Sequence, residues 1–263
     1  MPPVFLALAL LFAAPADAGG GAVFGPGEQI TYQVKWLGLP AGSGQVTVGA
    51  ETPERSGLWP IVTVGRSDVV LYPIKQKIVV WWDPATSRSR ELALFADEGG
   101  HRFRKRIEFQ PESSRARWTY QEEGKAAKTE EHEVPPDTAD AASAVFILRN
   151  QRLAVGDEIS FPIFTGTKLF QGHASVLEKV DLETPLGTRP AVKVRLRTEF
   201  SGKLTARELR MWFSDDPVHV PMRLEADFVV GPVVVEWIDY QAGRAMKPSS
   251  VARGDAALHG RSP

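Results

Sequence analysis

The sequence contains no cysteine. That excludes disulfide staples, thiolate metal sites, a cysteine nucleophile and lipid attachment through an N-terminal cysteine. An excess of one charge is missing too: 31 Lys and Arg stand against 32 Asp and Glu, a formal net charge of −1. The basic surplus of a general nucleic-acid binder is therefore absent. Long apolar runs are confined to the first residues, so the remainder carries no candidate membrane-spanning helix. With 43% hydrophobic and 24% charged residues, the 263-residue chain is too apolar for the disordered class. It is long enough for one large β domain or two small ones.

What is present begins with a leader. Val4 to Ala14 is apolar but short for a bilayer span, and Pro15 ends it. Ala16-Asp17-Ala18 has the small-x-small pattern that signal peptidase accepts before Gly19. The stretch before it, Met1-Pro2-Pro3, has no Lys or Arg. Residues 1–18 are read as a cleaved signal peptide, which sends the mature chain to the periplasm of a double-membraned bacterium.

After the leader, alternation with a period of two dominates. In 191–200, Val192, Val194, Leu196 and Phe200 share one face, with Lys193, Arg195, Arg197 and Glu199 on the other. The rhythm recurs in 30–36, 61–64, 102–109, 116–121, 173–178, 207–213 and 223–228, separated by turn signals such as Asp83-Pro84, Gly99-Gly100 and Asp215-Asp216-Pro217. Gly42-Ser43-Gly44 is also read as a turn, since it lacks the strand-to-helix context of a serine nucleophile. The pattern predicts a mainly β fold: one curved antiparallel sheet forming an open or closed β-barrel-like structure. A single central helix is predicted over 138–150, with Asp137 as its cap and Ala141, Val145 and Leu148 as its buried stripe. The domain is predicted over 19–241, with a disordered tail over 242–263. Gly27-Glu28-x-Ile30-x-Tyr32 resembles Gly156-Asp157-Glu158-Ile159-x-Phe161, and Asp83-Pro84 resembles Asp216-Pro217. These matches suggest a two-fold repeat of 24–134 and 152–241.

Several of these segments carry a family resemblance. Phe24-x-Pro26-Gly27-Glu28-x-Ile30-x-Tyr32-x-Val34-x-Trp36 and Gly38-Leu39-x-Ala41-Gly42 resemble the opening of the bacterial envelope family termed domain of unknown function 3108. Asp140-Ala141-Ala142-Ser143-Ala144-Val145-Phe146-x-Leu148-Arg149 is similar to that family's Asp-x-x-Ser-x-hydrophobic-x-x-Arg helix. The resemblance spans about residues 23–240 and implies secretion and a β-rich fold, without naming an activity. The implied sheet resembles the half-barrels of periplasmic lipoprotein carriers, an analogy of fold alone.

Catalytic signatures are not evident. There is no phosphate loop or dinucleotide fingerprint, and the five histidines lack metal-ligand spacing. Asp215, Asp216 and His219 are read as a turn rather than a metal or acid–base site. Lys105 is the anomaly. Alternation puts Arg102, Arg104 and Arg106 on one face with Glu108, leaving Lys105 on the apolar face with Phe103, Ile107 and Phe109. Either the strand is bulged there, or Lys105 snorkels at the rim, or it meets an anionic head group at a groove mouth. Trp81 and Trp82 must face opposite sides, so one of them is a lid over a cationic stem or part of a binding surface.

The expectation is a non-catalytic periplasmic protein that binds a lipid, acyl chain or lipoprotein in the groove of the curved sheet, with the helix across its concave side. The residues assigned to that groove are Trp36, Trp82, Lys105, Phe146 and Phe213, with Phe146 at its edge. No cofactor, metal, nucleic acid or integral membrane segment is expected. The alternative is a filled barrel that docks to another envelope protein, and a hydrolase or metal enzyme ranks below both.

Overall fold

A computed structural model describes residues 22–67, 73–198, 208–228 and 231–244; the leader and the tail beyond 244 lie outside the described residues. The alternating segments become fourteen strands. The first eight are β1 (Gln29–Trp36), β2 (Leu39–Val48), β3 (Trp59–Ser67), β4 (Ile74–Asp83), β5 (Arg88–Glu98), β6 (His101–Gln110), β7 (Arg115–Glu122) and β8 (Lys128–Glu133). The remainder are β9 (Glu158–Phe164), β10 (Leu169–Leu182), β11 (Arg189–Thr198), β12 (Glu208–Ser214), β13 (Pro221–Phe228) and β14 (Gly231–Gln241). All belong to one antiparallel sheet, in which β1 pairs with β14 and the edges are β8 and β9.

The edges share no ladder, yet the sheet wraps far enough for them to meet. The rings of His132 on β8 and Phe164 on β9 lie 5.0 Å apart. Trp118 on β7 rests on Gly166 in the β9–β10 turn, where φ is +102° and an added Cβ would overlap the indole. Only glycine satisfies both demands. Beside this seam, Ala139 donates its N–H to the Pro162 carbonyl and accepts at its own carbonyl from the Phe164 N–H, both at 2.9 Å. The strap leaving β8 thus covers the β9 edge, which would otherwise be free to pair with another chain.

Up-and-down order sorts the connections into two ends. One end carries the β2–β3, β4–β5, β6–β7, β10–β11 and β12–β13 turns, and the long β8–β9 connection plugs it. The other end carries the remaining hairpin turns, and among the described residues no comparable plug enters it.

The plug contains helix α1 (Ala144–Arg149), shorter than the predicted 138–150. Asp140, not Asp137, organises its approach: Oδ1 accepts from the N–H groups of Ala142 and Ser143, each at 2.8 Å. These bonds hold the preceding residues in a turn and delay the helix. All six helical residues are buried, so α1 sits within the barrel and does not lie across an open groove. Phe146 is accordingly 4% exposed and has no groove edge to occupy, contrary to the expectation from its spacing. The Gly42-Ser43-Gly44 turn is corrected as well. It lies inside β2, with Gly42 opposite Val34 and Gly44 opposite Tyr32, because the alternation of β1 governs the pairing through it.

The likeness of the two openings extends to their hydrogen bonds. Gly27 N–H donates to Val48 O at 2.8 Å and Val48 N–H to Glu28 O at 2.9 Å. Gly156, Val176 and Asp157 repeat the pattern at 2.9 Å for both bonds. Gly27 and Gly156 share a φ of 92°. Asp83 and Asp216 also match: Oδ1 of each accepts two backbone N–H groups of its turn.

Candidate functional site

Two polar arrangements stand out on the inside of the barrel. The first locks the plug. Arg149 Nη1 and Nη2 donate to Glu28 Oε2 and Oε1, both at 2.7 Å, and the two side chains are 0% and 1% exposed. Tyr240 donates its hydroxyl to Glu28 Oε1 at 3.2 Å, and Arg149 Nε donates to Val218 O at 3.3 Å. The guanidinium lies 4.8 Å from the Phe24 ring centroid. His219 Nδ1 contacts the Arg149 carbonyl at 3.0 Å, and Asn150 Nδ2 donates to Ser87 Oγ at 3.1 Å. The two aspartate turns therefore grip the C-terminal end of α1 from either side. Burial pushes the Tyr240 hydroxyl up to about 12 and raises that of Tyr32, which donates to the Pro221 carbonyl at 2.8 Å. Every strong donor and acceptor in this lock is matched, so it holds structure together and offers a ligand little.

The second arrangement centres on Lys105. Registers β5–β6 and β6–β7 run without a bulge, pairing Lys105 with Leu94 and Tyr120. Unbroken alternation therefore puts the lysine on the inner face. Its ammonium has no hydrogen-bond or ion-pair partner among the described residues. Burial pushes it down to about 8, with partial compensation from the Asp140 carboxylate. Asp140 is itself raised by burial, and its Oδ2 is buried without a hydrogen-bond partner. Around Lys105, the inner-face residues Leu94, Phe103, Phe109 and Tyr120 are only half-buried. Phe103 and Tyr120 have ring centroids 5.6 Å apart, and Tyr120 stacks on Trp118 at 5.9 Å. The plug thus leaves uncovered a strip of β5, β6 and β7 that is aromatic, apolar and singly cationic.

The predicted groove residues are not gathered in one place. Trp82 and Phe146 meet at 6.3 Å, both packed on Phe24, in the fully buried region beside the plug. Phe213 is 0% exposed on β12, far around the sheet, and Trp36 ends β1 at the unplugged end. Lys105 alone lines the uncovered strip. Between α1 and the sheet a space of only ≈ 70 Å³ remains, lined by Tyr32, Val145, Phe146 and Met211 among others. Trp81 is the lid its position allowed, with Arg55 at 4.7 Å from its ring, and Trp212 lies under Lys193 and Arg223.

The Asp215, Asp216 and His219 group disperses. Asp215 accepts from Lys179 at 2.8 Å, Asp216 serves its turn, and His219 faces Arg149. Among the described residues, no group of three His, Asp or Glu side chains could hold a metal ion.

A family model for the protein of unknown function DUF3108 matches residues 31–237. The chain belongs to this family. Among solved structures it is similar to a β-barrel-like protein of the domain of unknown function DUF1849 from Brucella abortus. That likeness has a TM-score of 0.56 at 9% identity, covering 82% of this chain and 97% of the other. A hypothetical protein, CT021 from Chlamydia trachomatis, aligns over 87% of this chain and 93% of its own at 10% identity, with a TM-score of only 0.34. The first likeness agrees with the barrel-like wrapping of the sheet. No curated protein matches the sequence. No helix of the described residues is long and apolar enough to cross a membrane.

The Glu28–Arg149 lock is the feature that spacing and periodicity missed. Its signal was available: Glu28 and Arg149 stand in the two segments that carry the resemblance to the DUF3108 family, 121 residues apart. Nothing in a single sequence reveals which carboxylate answers a distant arginine.

Proposed function

We propose that this DUF3108 protein is an exported, non-catalytic binding module that takes the anionic end of an amphiphile onto the inner face of β5, β6 and β7. The observation that carries the reading is Lys105: an unpartnered, half-buried cation on an aromatic strip that the plug leaves uncovered. An isolated ammonium in such surroundings costs stability, and an incoming carboxylate or phosphate would offset that cost. Leu94, Phe103 and Tyr120 would take the adjoining apolar chain. The leader-like sequence at residues 1–18 supports the exported, periplasmic part of this reading. A lipid, a free acyl chain or the lipid of a lipoprotein would satisfy the same chemistry.

The test uses a dansyl-labelled fatty acid and its uncharged methyl ester, followed by fluorescence titration of wild-type and Lys105→Met protein. The acid should bind wild type about tenfold more tightly than the ester, and the variant should lose that preference, as expected for one charge-assisted contact. Equal binding of acid and ester to wild type, or no binding of either, would overturn the reading. A second reading has its own observation: the space beside α1 is only ≈ 70 Å³, too small for an acyl chain. That filled region suits a structural module docking to an envelope partner, which is what the absence of binding would favour.

A further inference from the structure

The unplugged end of the barrel carries an unusual surface. Of the seven large hydrophobic residues exposed among the described residues, five lie at or beside this end: Leu37, Leu39, Val64, Phe95 and Leu169. Leu37, Leu39 and Leu169 sit in or beside hairpin turns, with Leu39 70% exposed. Leu37 is the most telling. It occupies the first position of a two-residue turn with φ +52°, where asparagine or glycine is favoured and a leucine is strained. It rests partly on Gly231 yet stays 57% exposed, so burial gives no sufficient reason for a leucine there.

Cations accompany these side chains. On the outer face, the register aligns Val64, Lys77, Phe95 and Arg104 across β3 to β6, with Lys75 two residues along β4. Together they line a concavity of ≈ 650 Å³. Of the carboxylates lining it, Asp97 and Glu123 pair with Arg102 within the same concavity, and Glu122 pairs with Lys125. Lys77 and Arg104 have no ion-pair partner among the described residues, and Lys75 faces Asp97, whose main partner is Arg102, across the β4–β5 register without a close ion pair. Exposed leucines on turns beside unpaired cations form the pattern of a surface that enters the head-group region of a bilayer.

We infer that the unplugged end docks on the surface of a bilayer containing anionic lipid. Leu37, Leu39 and Leu169 enter the interfacial region, while Lys75, Lys77 and Arg104 take lipid phosphates around the concavity. Phe103 borders both this concavity and the Lys105 strip, but none of the six residues assigned to the bilayer lines that strip, so the inference does not depend on what the interior binds. Docking in this pose turns the unplugged end of the barrel towards the membrane.

Flotation of the purified protein with phosphatidylglycerol-containing vesicles, beside pure phosphatidylcholine vesicles, tests the inference. Wild type should float with the anionic vesicles alone, and high salt should release it. Each cation contributes about a fivefold factor near such a surface, so the triple variant K75Q/K77Q/R104Q should bind about a hundredfold more weakly. Leu37→Asn should weaken binding by up to about tenfold while leaving the fold as stable as wild type or more so. A structural role alone would instead make that variant less stable. Equal binding to neutral vesicles, unchanged binding by the triple variant, no flotation of wild type, or displacement by inorganic phosphate would each overturn bilayer docking. Lys105→Met should float like wild type, which keeps this result separate from the fatty-acid titration.

Discussion

Replacing Lys105 by methionine should make the protein more stable, which is the reverse of the usual outcome at a half-buried position. Methionine keeps the length of the side chain and can fill the space between Leu94, Tyr120 and Ile107 without a charge. The ammonium is held at about 8 instead of 10.5, chiefly by burial. At about 1.4 kcal/mol per pH unit, the charged form is disfavoured by about 3 kcal/mol in the folded state. Partial exposure and the loss of Asp140 attraction reduce the expected gain to about 1–2 kcal/mol near pH 7. The pH dependence supplies the sharper signature. Between pH 8 and 10.5 the unfolded chain binds a proton that the folded protein has lost, so wild-type stability should rise with pH through that window. The variant should lack this rise, and the two stabilities should converge as the pH approaches 10.5. Urea denaturation of ligand-free wild type and variant across that range provides the comparison. A variant less stable than wild type near pH 7, with a gap that does not narrow on raising the pH, would refute the idea of a strained interior cation.

Arg149→Met should destabilise the protein by about 3–5 kcal/mol, because it leaves the Glu28 carboxylate buried without its cation, and adding Glu28→Gln should restore much of the loss in thermal unfolding. No recovery in the double variant would mean that Arg149 matters for its ring contacts instead of its charge. Asp140→Ala removes the acceptor of two backbone N–H groups and should cost about 1–2 kcal/mol. Asp140→Asn keeps an acceptor at that place and removes a carboxylate whose ionisation burial opposes, so it should be near neutral or stabilising by the same denaturation assay.

Much of the fold was legible in the residues because a half-buried strand writes its two faces into alternate positions. The segment 191–198 shows this plainly: Val192, Val194 and Leu196 are all at most 2% exposed. Lys105 was legible for the same reason, as the one cation out of phase, and the continuous register confirms its side of the sheet. Other features could not be read this way. Gly42-Ser43-Gly44 has turn composition but is held in β2 by its partners on β1 and β3. Helix α1 is buried all round, so an apolar stripe gave no measure of its depth, and Phe146 was placed at an edge that does not exist. The uncovered strip also mixes a residue that periodicity singles out with Phe103 and Tyr120, which look like ordinary inward-facing strand positions.

The pairing of β1 with β14 has a consequence for how the molecule comes into being. Gln29 lies beside Gln241 in the finished ladder, so the first strand waits for the last. Strands β1 to β8 can associate by local hairpins soon after they emerge, but until β14 arrives one side of β1 remains an exposed edge. Arg149, which answers Glu28, comes only after β8, and the Tyr240 hydroxyl comes later still. Until those segments emerge the chain is a half-built sheet with the Glu28 carboxylate unmatched, and closure over so long a sequence separation is of the kind that slows folding. During that interval it is most exposed to pairing with another copy of itself, and export of an unfolded chain would place the whole of it on the far side of the membrane.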